Sequence, residues 1–148
     1  MWNWVTTNSY NIVSVGTNQK YYLEAGGSAY NDITPLTAAS PVSLGSNPFA
    51  TTSGSKVVTV TATSHNATAG TFVTFAGASA VGGLTLNGEY AIVSVPSGND
   101  YTIASDTAAS STATGGGASV TASYQISAGL DTAVVGGGWG AGTWGRST

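Results

Sequence analysis

The sequence predicts an all-β protein: a four-stranded antiparallel meander, then a small β-barrel or sandwich, then an extended Gly/Trp-rich C-terminal tail. Three observations predict it. Strong helix formers are rare, while Thr, Val, Tyr, Ser and Gly dominate. Apolar and polar residues alternate in runs of about four to eight, the period of half-buried strands. Turn segments such as Gly26-Gly27 and PSGND punctuate these runs.

The meander is expected over residues 1–35, with strands near 2–7, 10–16, 20–25 and 28–33. Tyr10, Ile12 and Ser14 alternate with Asn11, Val13 and Val15. Tyr21, Leu23 and Ala25 share a face opposite Tyr22 and Glu24. Gly26-Gly27 turns the chain, and Thr34-Pro35 ends the last strand. Residues 36–55 follow as a linker or crossover. Pro35, Pro41 and Pro48 fall in or beside it, and proline cannot donate to a ladder, so no central strand is expected there.

Residues 56–127 are expected to form the small barrel. Val58, Val60 and Ala62 point one way from KVVTVTATS, and TFVTFAG follows the turn HNATAG. NGEYAIVSV reads as a strand buried on both faces, since Tyr90 and Ile92 oppose Ala91, Val93 and Val95. PSGND turns into YTIAS, and residues 104–117 read as a long floppy hairpin tip. In VTASYQI, Val120, Ala122, Tyr124 and Ile126 point inward. Closing the sheet removes edges that few lysines protect. Residues 128–148 form the Gly/Trp-rich tail.

Composition narrows function. The 148 residues suit one ordinary domain or two small ones, and 41% are hydrophobic. Charged residues make up 6%, against about 25% in a typical domain, and a weakly charged surface favours assembly. The formal net charge is -3, and Lys20, Lys56 and Arg146 are the only permanent cations. That argues against specific nucleic-acid binding and an electrostatic membrane anchor. No cysteine is present, so there is no disulfide framework. The opening MWNWVTTNSY lacks the basic and apolar regions of a signal peptide.

Chemistry-bearing constellations are sparse. The single histidine, His65, lies in the turn SHNATAG without a G-x-S-x-G nucleophile elbow, and is expected as a turn residue. Glu89 and Asp100 flank one expected hairpin, which leaves a sugar-hydrolase reading open. Each also suits ordinary strand and turn chemistry. A structural zinc site lacks its ligands, and no calcium loop appears. Asn66-Ala67-Thr68 matches a glycosylation sequon and is read as a turn. No catalytic residue, metal or cofactor is expected.

Gly140, Gly142 and Gly145 carry the G-x-G-x-x-G spacing of a dinucleotide loop. Three residues follow Gly145 in the sequence, too few for the helix that stabilises a phosphate. Trp139 and Trp144 therefore belong either to an interface or to the chain's own core. Trp2, Trp4 and Tyr22 join them as interface candidates.

VGTNQKYYLEAGGSAYNDITPL resembles a propeller-blade-like segment of tail hub and nozzle proteins of short-tailed bacteriophages. The likeness rests on Gly16-Thr17-Asn18, Tyr21-Tyr22, Gly26-Gly27, Tyr30 and Ile33-Thr34-Pro35. The second group resembles the small β-domain inserted in such proteins, through Val57–Thr61, His65, Gly70, Val73-Thr74-Phe75, Gly77, Asn87-Gly88-Glu89-Tyr90 and Tyr101-Thr102-Ile103. YQISAGLDT and GWGAGTWGR extend it. Family members are usually several times longer, so a fragment, a split gene and a stand-alone module stay open.

The resemblance implies a non-enzymatic virion protein, made in the host cytoplasm. It would assemble with other copies of itself and other tail proteins in the ring through which DNA leaves the capsid. The alternative is a module binding carbohydrate or a host receptor. Trp2, Trp4, Tyr21 and Tyr22 would be its aromatic platform, with Asn3 and Asn18 nearby.

Overall fold

A computed structural model describes residues 2–17, 19–27 and 29–126. The described residues are all-β, without a helix. They divide into two compact units: one within Met1–Ile33, the other spanning Thr34–Ile126.

The first unit is the expected meander. Its strands are β1 (Trp2–Val5), β2 (Asn11–Gly16), β3 (Tyr21–Ala25) and β4 (Tyr30–Asp32), in spatial order β1-β2-β3-β4. Neighbours are antiparallel, with Trp2 opposite Ser14, Ser14 opposite Leu23 and Leu23 opposite Asn31. Ser9 at φ 62 turns β1 into β2, and its N–H donates to the Thr6 carbonyl at 2.9 Å. Gly26 and Gly27, at φ 67 and 82, make the turn out of β3 in the left-handed region that glycine enters without strain.

The second unit is an eight-stranded sheet curled into a half-barrel. Its strands are β5 (Val42–Ser43), β6 (Phe49–Thr51), β7 (Val57–Thr61), β8 (Phe72–Ala76), β9 (Gly88–Ser94), β10 (Asp100–Ala104), β11 (Ala113–Gly115) and β12 (Thr121–Tyr124). The order is β11-β6-β7-β10-β9-β8-β12-β5.

Its two ends are joined by one bent ribbon. Ser43 faces Thr121 in the β5–β12 pair, and Phe49 faces Gly115 in the β6–β11 pair. Between them the same register continues: the Leu44 N–H donates to the Val120 carbonyl at 3.0 Å, and the Asn47 N–H to the Gly117 carbonyl at 2.8 Å. Gly45, Asn47, Gly116 and Gly117, all at positive φ, bend this ribbon. A Cβ on Gly116 would stand 2.6 Å from the Phe49 ring, so the bend also needs a bare Cα there.

Three expectations are corrected. Residues 36–55, expected as linker, contribute β5 and β6, and β6 lies between β11 and β7. Pro41 and Pro48 each directly precede a strand, where no ladder N–H is lost. Residues 104–117, expected as a floppy tip, are tethered. Ala109 is buried, its N–H donates to the Ser55 carbonyl at 2.9 Å, and Ala113–Gly115 form β11. Strand β9, expected buried on both faces, buries Ile92 and exposes Ala91 and Val93, because a curled sheet has one interior.

That interior holds Phe49, Val58, Val60, Val73, Phe75 and Tyr101, among others. Val58 and Val60 point inward as their alternation predicts, as do Val120, Ala122 and Tyr124, whereas Ile126 is exposed. The β8–β9 connection adds Val81, Leu84 and Leu86 to the core. Asn87 holds this loop by accepting the Ala78 N–H at 2.9 Å and donating to the Ala78 carbonyl at 3.2 Å.

Candidate interaction surface

The four-stranded sheet carries large apolar side chains on both faces. Alternation along each strand and the cross-strand register sort them. Trp2, Trp4, Ile12, Ser14, Gly16 and Tyr21 share one face. Asn3, Val13, Val15, Tyr22, Glu24 and Tyr30 share the other. Trp2 is 73% exposed, Trp4 41% and Tyr30 60%. In a soluble two-layer fold such a face packs against a second layer, and a contiguous apolar patch marks a binding surface.

On the first face a groove of about 310 Å³ runs between Trp2 and Tyr21, with Ile33 at its side. Small residues create it. Ser14 lies opposite Trp2 in the register, and Gly16 lies under the Tyr21 ring, which its missing Cβ would meet at 3.5 Å. On the second face Val15, Thr17, Tyr22 and Tyr30 line a shallower, mostly apolar depression of about 440 Å³.

The structure divides the expected aromatic platform. Trp2, Trp4 and Tyr21 belong together, whereas Tyr22 and Asn3 are on the opposite face. A strand's period of two separates Tyr21 from Tyr22, neighbours in sequence. Asn18, Trp139, Trp144 and the G-x-G-x-x-G segment lie outside the described residues.

Charge is scarce and engaged near these faces. The Lys20 ammonium meets the Asp32 carboxylate at 2.7 Å, with the lysine side chain only 8% exposed. Thr17 shapes the approach to β3, its Oγ1 accepting the N–H groups of Gln19 at 3.2 Å and Lys20 at 2.8 Å. A buried Glu24 oxygen, Oε1, has no hydrogen-bond partner among the described residues.

In the second unit, His65 is a turn anchor. Its Nδ1 accepts the Ala67 N–H at 2.8 Å, which assigns the proton to Nε2, 3.3 Å from the Ser97 carbonyl. The imidazole meets the Tyr101 ring edge-on, with centroids 5.0 Å apart. A cleft of about 200 Å³ beside it is lined by Thr37, Leu44, Ser64 and Tyr124, among others.

Glu89 and Asp100 do not converge. The β9–β10 pairing sets Thr102 opposite Ser94. Asp100 therefore sits at the turn end of the hairpin and Glu89 at the far end, about 20 Å away at ~3.3 Å per residue. A carboxylate pair for glycoside hydrolysis stands roughly 5–9 Å apart. Each also has other partners: Asp100 accepts from Thr61 at 3.0 Å and Ser97 at 2.9 Å, and Glu89 accepts from Gln125 at 3.1 Å. Among the described residues no three His, Cys, Asp or Glu side chains cluster as metal ligands.

No family model matches the chain, and no curated protein matches it. A solved structure shares the fold: a phage phi92 endosialidase, at 16% identity and a TM-score of 0.50. The match covers 84% of this chain and 20% of that one, so this chain spans about a fifth of the neighbour's length. The expectation of a non-enzymatic protein is corrected by this finding, since the solved relative in fold is an enzyme.

Proposed function

We propose that this chain is a β-module of a phage tail protein, and that it acts in assembly through the aromatic faces of its four-stranded sheet. The observation that carries the reading is the surface itself: Trp2, Trp4 and Tyr21 exposed on one face, Tyr30 on the other, in a chain with 6% charged residues. Trp and Tyr are the favoured anchors of protein interfaces, and a low surface charge repels copies weakly. The phage endosialidase neighbour supports a phage setting through its fold. The resemblance to hub and nozzle proteins supports a place in the tail ring. The partners in this reading are other copies of the chain and other virion tail proteins, with the virion as location.

The test is a solution mass across a range of concentrations, with electron microscopy of the same sample. The reading expects oligomers, and it expects Trp2→Ser with Tyr21→Ser to weaken association at least tenfold. A strictly monomeric chain that also fails to bind virion proteins would sink it.

A second reading, a glycan- or receptor-binding module, is supported by the Trp2–Tyr21 groove, where a pyranose can stack on an aromatic ring. Lys20, the only lysine or arginine among the described residues of this unit, already serves Asp32, which points to a neutral sugar rather than an acidic one. A glycan panel distinguishes the readings: neutral-glycan binding lost in Trp2→Ser supports this one, and no binding at millimolar glycan removes it.

A further inference from the structure

The cleft beside His65 is built from residues of the second unit alone. Exposed Thr37, Ser64 and Asn66 line it, together with the buried Ala62 and Tyr124 and the half-buried Leu44. The Thr37 and Ser64 hydroxyls and the Asn66 carboxamide make no hydrogen bond among the described residues. No Lys, Arg, Asp or Glu lines the cleft.

The polar wall is fixed in place. The Ser64 N–H donates to the Asn99 side-chain oxygen at 3.3 Å and the Ala67 N–H to His65 Nδ1 at 2.8 Å, while His65 Nε2 stands 3.3 Å from the Ser97 carbonyl. Thr37 is held likewise, its N–H donating to the Tyr124 carbonyl at 2.8 Å. Ser64 and Asn66 sit at φ 53 and 51, in the left-handed region that strains a residue with a Cβ. Such strain persists where the surroundings enforce it, and it concentrates at ligand sites. Here the strained turn brings two side chains with free hydrogen-bonding groups to one cleft.

These groups define a ligand. A hydroxyl or a carboxamide both donates and accepts, as a ligand hydroxyl does. A charged ligand would find no counter-ion among the lining residues. Leu44, Ala62 and the Tyr124 ring offer apolar surface to the C–H groups of a sugar ring. The volume of about 200 Å³ falls below the roughly 300–1,000 Å³ of pockets for drug-sized ligands, which suits one ring rather than a chain of several.

We propose that this cleft is a binding site for a single neutral sugar ring, with Thr37, Ser64 and Asn66 hydrogen-bonding its hydroxyls. The site is separate from the Trp2–Tyr21 groove and independent of both readings of the four-stranded sheet.

The test is a titration of the full chain with glucose, galactose, mannose and N-acetylglucosamine, each as free sugar and methyl glycoside, followed by NMR. At least one probe is expected to bind in the millimolar range and to shift the methyl signals of Leu44 and Ala62. Thr37→Val combined with Asn66→Gly, which keep shape and backbone conformation, should weaken binding about tenfold or more without lowering the melting temperature. Trp2→Ser should leave it unchanged. A preference for the glycoside would assign the site to the end of a glycan, and a preference for the free sugar to a monosaccharide; either supports the proposal. Glucuronic acid binding as tightly as the neutral probes would overturn it. So would the absence of any shift at millimolar sugar, or binding lost in Trp2→Ser and kept in the cleft variant.

Discussion

The phenol oxygens of Tyr101 and Tyr124 meet inside the barrel at 3.2 Å, and their rings stand edge to face at 5.9 Å. Tyr101 is fully buried and Tyr124 nearly so. Burial, then the hydrogen bond to Tyr124, raises the Tyr101 phenol far above its ordinary value. Burial also raises Tyr124, with the same hydrogen bond working the other way. A raised folded-state value means that the unfolded chain gives up its proton first. The stability is intact below about pH 10, the unfolded value, and falls as pH climbs above it. The decline approaches about 1.4 kcal/mol per pH unit for each such tyrosine. Urea unfolding of the barrel between pH 8 and 11.5 checks this, and Tyr101→Phe should reduce the slope. A flat profile would refute it.

Gly77 and Gly54 have nearly the same φ, +76 and +77, in different surroundings. A Cβ at Gly54 meets nothing within 4 Å, whereas at Gly77 it runs into the Ser119 carbonyl. Gly54→Ala should therefore cost about 1 kcal/mol, the left-handed strain alone. Gly77→Ala adds a clash with backbone in the β11–β12 connection and should cost about 2–4 kcal/mol. Thermal melting of both variants measures the difference, and equal losses would contradict the contact.

His65→Ala removes the acceptor of the Ala67 N–H and the edge-on contact with Tyr101. The expected loss is about 1–2 kcal/mol. His65→Asn, which keeps an acceptor near the Nδ1 position, should recover part of it. Chemical denaturation of the two variants decides whether the ring anchors the turn.

Asp32→Ala leaves the Lys20 ammonium buried without its carboxylate. Removing one partner of a buried pair costs up to about 3–5 kcal/mol, and the partial exposure of Asp32 brings the expectation to about 2. Lys20→Met combined with Asp32→Leu should recover most of that, since no charge is then stranded. A double variant as unstable as the single one would show that the loss lies elsewhere. Tryptophan fluorescence follows the melting of this unit, because Trp2 and Trp4 are in it.

How much was legible follows from how each residue acquires its environment. The meander was readable because each strand pairs with its sequence neighbour: alternation placed Tyr21 and Leu23 together, and Gly26-Gly27 announced their turn. Val58, Val60, Ala122 and Tyr124 likewise revealed their inward faces by period alone. Strands β5, β6 and β11 are two or three residues long, too short to show a period. Along the ribbon, β5 and β12 and likewise β6 and β11 pair across about 60 to 80 positions of chain, and only β6 also pairs with its sequence neighbour, β7, so tertiary register rather than local pattern makes β5 and β11 strands. Of the candidate surface, the sequence named Trp2, Trp4 and Tyr22 but not which face each takes.

The sequence by itself determined an all-β chain, its hairpin turns and most of its buried positions, because those depend on local sterics and on a period of two. Tertiary structure alone decided that residues 36–55 belong to the barrel and that Glu89 and Asp100 stand at opposite ends of one hairpin. It also decided that Trp2 and Trp4 share the face of Tyr21 rather than that of Tyr22. Each of those facts depends on the register in which another strand supplies the hydrogen bonds, and a backbone N–H or carbonyl carries no residue-specific signal of its partner.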